Sequence, residues 1–192
     1  MNLRRRNLLL TIGLLVVCGQ VSLALIVTFD DVTPGMGAMI PNGYGDLNWD
    51  NFWALNGGLM HPGSGYELGC VSGEYVAFNG YSDPAVISNS AFDFIGAYLT
   101  AAWQTGLKID VEGYQGTTKV FSQTVTVDCY GPTLFEFNFT GVNKVRFNSY
   151  GGTDAGLGGS GPYFVMDNFN FVPEPATMCL LGLGAFVLRR KH

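Results

Sequence analysis

Across its second half this chain alternates one wet residue with one dry residue. Leu107, Ile109, Val111 and Gly113 alternate with Lys108, Asp110 and Glu112. Phe135, Phe137 and Phe139 alternate with Glu136, Asn138 and Thr140, and Val145 and Phe147 with Lys144, Arg146 and Asn148. A period of two matches the pleat of a half-buried strand, whereas a helix would scatter the same residues around its surface. Leu25–Phe29, short strands near 48–55, Phe92–Trp103, Lys119–Val127 and Tyr163–Phe171 extend the pattern. Tyr66–Val71 and Tyr75–Asn79 read as a hairpin turning at Ser72-Gly73. Glycine punctuates these runs, notably through a loop expected at 151–162, and no helix is expected in the body. The fold class is therefore all-β, an antiparallel β-sandwich.

The ends follow other rules. Met1–Arg6 is basic and Leu8–Val17 is an apolar run too short to span a bilayer. Ser22-Leu23-Ala24 then offers small residues for cleavage, so 1–24 reads as an export signal handled by the Sec machinery. The rest divides into a sandwich over 25–172 and a tail over 173–192. In the tail, Pro173, Glu174 and Pro175 break the last strand. A marginal apolar helix to Leu188 follows, then Arg189, Arg190 and Lys191 as a positive stop.

That order closely resembles the PEP-CTERM sorting signal. The resemblance implies an exosortase partner cutting near Pro173-Glu174-Pro175. It also implies a transient inner-membrane anchor, then display on the cell surface or in the extracellular matrix of a Gram-negative bacterium. Phe29-Asp30-Asp31, Leu107–Tyr114 and Met166-Asp167-Asn168-Phe169 resemble the galactose-binding-like jelly roll. Ile40-Pro41-Asn42-Gly43-Tyr44-Gly45 with Asn48-Trp49 is similar to a module of secreted sandwich proteins.

Charge narrows the partners. The 25–172 body holds four basic residues, Lys108, Lys119, Lys144 and Arg146, against fourteen acidic ones, a net charge of −10. Such a balance argues against nucleic acid and anionic lipid, which need a basic footprint. Catalytic signatures are missing too. His61 is the one body histidine, and neither a Gly-x-Ser-x-Gly elbow nor a His-Glu-x-x-His pattern occurs. Paired carboxylates could still hydrolyse a glycoside, so a secreted glycoside hydrolase stays as a third choice.

Three constellations remain. The jelly-roll resemblance implies a structural calcium between first and last strands, held by Asp30 or Asp31 with Asp167; the other reading is strand-end aspartates capping turns. Asp46-x-Asn48-x-Asp50 starts like an EF-hand loop but has Gly57 where its glutamate belongs. Sugars stack on aromatic rings and bond to amides and carboxylates. Tyr44, Asn48, Trp49, Asp50 and Trp53, with Tyr150 from the later loop, could form such a platform for an exopolysaccharide; equally, the tryptophans could plug the end of the sandwich. Cys70 and Cys129 are either a disulfide of an exported chain or two separate buried thiols. The chain thus reads as a non-catalytic exported envelope or matrix protein, with a purely structural surface protein as the alternative.

Overall fold

A computed structural model describes residues 23–32 and 37–174. Residues 1–22 of the expected export signal (1–24), and the sorting tail from Pro175 onward, with Arg189, Arg190 and Lys191, lie outside the described residues. Ten strands run through the described part: β1 Leu25–Val27, β2 Gly37–Met39, β3 Asn48–Asp50, β4 Phe52–Asn56, β5 Tyr75–Asn79, β6 Ala85–Ala101, β7 Gln104–Gln115, β8 Thr118–Val127, β9 Thr133–Asp154 and β10 Phe164–Pro173. One hydrogen-bonded path, β2-β4-β5-β10-β6-β9-β7-β8, joins them, with β1 added to β10 and β3 to β6. Every pairing is antiparallel.

The path folds into two layers because β6 and β9 are long enough to serve both. Their register slips between Ser88 and Gly96, where β6 bulges and bends. Before the bend, β6 pairs with β3 and with the second half of β9, which carries β7 and β8; these form the front sheet. Beyond it, β6 lies between β10 and the first half of β9, and β10 carries β5 and β1; β4 and β2 complete the back sheet. The inner faces meet ring on ring. Phe52 of the back sheet packs edge-on to Trp49 and Phe147 of the front at 5.3 and 5.9 Å, and Phe147 lies 5.6 Å from Phe164. Gly113 occupies an inward position on β7, where a Cβ would stand 3.0 Å from Phe139 and Val142. The alternation read from the sequence is the inward–outward alternation of these sheets, and Leu107, Ile109, Val111, Val145 and Phe147 are all buried.

Two local expectations fail. Tyr66–Val71 is not a strand: Ser64 Oγ accepts from the Tyr66 N–H and caps a short helix, Gly65–Leu68 (α2), which follows α1, Gly57–Met60. Gly65 sits against the Ala101 carbonyl so closely that a Cβ there would lie 1.7 Å from it. The helix thus docks its Tyr66 on the back sheet, which a hairpin could not do. Residues 151–154, expected in a loop, continue β9 to pair with β7.

The outer face of the back sheet is covered over β4, β5 and the start of β10. Leu55, Val76 and Val165 point outward from it and are buried beneath Tyr66, Ala102 and Trp103, with Leu157 and Tyr163 packed at the margin. His61 joins this cover, its ring 5.0 Å from Tyr66 and 5.1 Å from Trp103.

Candidate functional site

The front sheet presents its outer face uncovered, and strand register sorts its side chains into rows. One row runs Asn48, Ser88, Lys144, Tyr114, Lys119 across β3, β6, β9, β7 and β8. The next runs Asp50, Val86, Arg146, Glu112, Ser122. A third holds Asn148, Asp110 and Thr124, and a fourth Tyr150, Lys108 and Thr126. Each residue is there because the alternate positions of its strand point inward. From Lys144 to Tyr150 the face extends ~20 Å along β9 at ~3.4 Å per residue, long enough for several sugar rings.

Polar contacts organise this face. Lys119 Nζ bonds Glu112 Oε1 at 2.8 Å, and Arg146 Nη1 bonds Glu112 Oε2 at 3.3 Å. The Tyr114 hydroxyl donates to Glu112 Oε2 at 2.7 Å, and Lys144 Nζ stands 4.0 Å from the Tyr114 ring centre. The bonds from Lys119, then Tyr114, hold the Glu112 carboxyl below its ordinary pKa. Asp110 Oδ1 accepts from the Thr124 hydroxyl at 2.6 Å and the Tyr150 hydroxyl at 3.2 Å, which orients a tyrosine that stays 40% exposed. All four lysines and arginines of the described residues lie on this face.

The expected sugar platform is split by this architecture. Asn48, Asp50 and Tyr150 share the front face. Trp49 does not: it is 4% exposed, donates its indole N–H to the Tyr44 carbonyl at 2.8 Å, and packs edge-on to Phe29, Phe52 and Phe169. It plugs the core. Tyr44 packs beside it and donates its hydroxyl to Asp31 at 2.7 Å. Trp53 belongs to the other sheet and points outward there, its ring edge-on to the exposed Tyr81. The divide is Asn51, whose φ of 57° lies in the left-handed region and whose amide donates to the Gly80, Asp83 and Pro84 carbonyls. It ends β3 and sends β4 into the back sheet. Sequence reading missed Lys108, Asp110, Glu112, Tyr114, Lys144 and Arg146 as site residues; clustering of every body cation on the alternating strands was the available signal.

The aspartates expected to hold calcium are bonded to protein groups in this structure. Asp167 is fully buried; its Oδ2 accepts from the Val71 and Ser72 N–H groups at 2.7 and 2.9 Å and its Oδ1 from Asn168. Asp30 Oδ1 accepts from the Glu74 and Tyr75 N–H groups, while Asp31 turns to Tyr44. Asp30 and Asp167 thus pin backbone, while Asp31 holds the Tyr44 hydroxyl. Among the described residues no group of three or more His, Cys, Asp or Glu is placed to hold a metal ion. Burial pushes the Asp167 carboxyl up to about 6, with the Asp30 charge adding to the shift against the bonds that lower it.

The disulfide is likewise not formed. Cys70, at the end of α2, donates its thiol to the Tyr66 carbonyl at 3.4 Å and packs beside the cover of the back sheet. Cys129 is buried in the core between the sheets. A cavity of about 540 Å³ beside Cys70 is lined by Glu67 and Glu74, but both carboxylates are engaged, by the Gly63 N–H and the Asn56 amide.

At its far end β10 leads into the segment that decides the chain's destination. Residues 171–191 match the PEP-CTERM protein-sorting motif. The chain carries that motif. It implies export and cell-surface sorting by an exosortase. The match begins within β10, where Phe171 is buried and paired with both Leu25 and Phe94. Among solved structures, TmCBM61 in complex with beta-1,4-galactotriose aligns at 11% identity over 77% of this chain and 94% of that one, with a TM-score of 0.40. A search of curated proteins gives no match.

Proposed function

We propose that this is a non-catalytic, exosortase-sorted surface protein whose sandwich binds exopolysaccharide on the outer face of the front sheet. After removal of the tail at Pro173-Glu174-Pro175 the folded body remains at the cell surface or in the surrounding matrix. The observation that carries the reading is the contrast between coverings. Helix α2, Trp103 and the loop before β10 shield one outer face, while the other keeps Tyr150, Tyr114, Asn148, Asp110 and Asn48 on a rigid pleated floor. Rings for stacking and fixed donors and acceptors for hydroxyls are what a sugar chain needs. The sorting motif supplies the location in which such a ligand is abundant.

Affinity electrophoresis of the full chain, in neutral detergent, through gels containing different soluble polysaccharides tests this. Retardation by at least one polysaccharide, weakened by Tyr150→Ala, is expected. Mobility unchanged in every gel would leave a purely structural surface protein.

A further inference from the structure

All four cations of the described residues, Lys108, Lys119, Lys144 and Arg146, stand on the outer face of the front sheet, in a body whose other surfaces carry only acidic charge. From this segregation we infer that the face takes a polysaccharide bearing carboxylates, a polyuronate, rather than a neutral one. The inference rests on the proposed sugar-binding reading and adds the chemical class of the ligand.

The cations are arranged for anionic charge of moderate density. Lys119 is committed to Glu112, and Arg146 gives that carboxylate a single 3.3 Å bond, so most of its guanidinium fork stays open. Lys144 lies over the Tyr114 ring, and Lys108, exposed beside Tyr150, makes no ion pair among the described residues. Arg146 and Lys144 project from one strand ~7 Å apart, and Lys108 lies at the far end of the face. Asp110, in the row between them, and Asp50, at the β3 edge of the Arg146 row, add negative charge. A heavily sulfated polymer, with more than one charge on each sugar, would be repelled by those carboxylates more strongly than a polyuronate with a single one. A polyuronate meets both signs, since its carboxylates pair with Arg146, Lys144 and Lys108 while its hydroxyls donate to Asp110 and Asp50. Elsewhere the acidic body repels a polyanion and confines it to this face.

The same gel assay decides the matter with three ligands: polygalacturonate, the same polymer after carboxyl reduction, and dextran sulfate. Polygalacturonate is expected to retard the full chain strongly, and carboxyl reduction to abolish most of the effect. The Lys144→Gln/Arg146→Gln pair should weaken binding at least ~10-fold, the scale of losing two partly screened charge-assisted contacts. Lys108→Gln should weaken it ~3-fold with an unchanged melting temperature, since that side chain is exposed and unpaired. Equal retardation by the native and reduced polymers would overturn the carboxylate assignment and leave sugar binding standing. Stronger retention by dextran sulfate would show simple ion exchange and also overturn it. No retardation by any polymer would remove the sugar-binding reading itself.

Discussion

The two outer faces of this sandwich begin from the same pleat and end differently. On the back sheet, apolar residues point both ways, and short helices with two large rings, Tyr66 and Trp103, are folded down to keep Leu55, Val76 and Val165 from water. On the front sheet the outward residues are polar or amphipathic apart from Val86, so little has to cover the outside. What an antiparallel sheet places outward thus decides whether its surface becomes a second core or remains available to a ligand.

Truncating one ring on each face should separate these roles most sharply. Trp103→Ala removes a buried indole packed against Tyr66 and His61 and is expected to cost about 3–5 kcal/mol. Tyr150→Ala should stay within about 0.5 kcal/mol, as an exposed substitution does. Chemical denaturation measures both, and equal losses would break the comparison.

Titration sharpens it next. Asp167 fastens the loop after α2, and its carboxyl, raised to about 6, holds its proton more tightly folded than unfolded. Its contribution to stability is full at low pH and lost as pH rises through about 6, which makes the protein about 1 kcal/mol more stable at pH 5 than at pH 7 from this group. Asp167→Asn should remove that slope in paired melts. Glu112, lowered by its front-face partners, acts in the opposite sense: its contribution is present at neutral pH and disappears on acidification below the usual carboxylate range. Glu112→Gln is expected to cost only about 0.5–1 kcal/mol at pH 7, because Lys119 and Arg146 are well exposed. The smallest effect belongs to the thiols. Since Cys70 and Cys129 are unbonded, a reductant should leave the melting temperature unchanged, and a fall of several degrees would reveal a bridge between them.

These contrasts also mark what the sequence could reveal. The alternation at Leu107–Tyr114 and Phe135–Phe147 displays its strands directly, because a half-wet strand writes its geometry into composition. Back-sheet segments such as Tyr75–Asn79 are buried on both faces and lose that signature. Helix α2 has four residues, too few for a helical period, and only Ser64 hints at its start. The site was half legible. Lys108, Asp110 and Glu112 read as the wet side of a strand, but which residues lie beside them depends on register between distant segments. Trp49, Phe52 and Trp53 look like one cluster until Asn51 turns the chain from one sheet to the other.

Mapping amide chemical shifts of the labelled chain on adding oligogalacturonate tests the central claim most directly. The changes are expected to fall on Lys108–Tyr114, Ser122–Thr126 and Lys144–Tyr150, with the indole signals of Trp49, Trp53 and Trp103 unmoved. Changes centred instead on Trp53, Tyr81 and Trp103 would place the ligand on the covered side and contradict it.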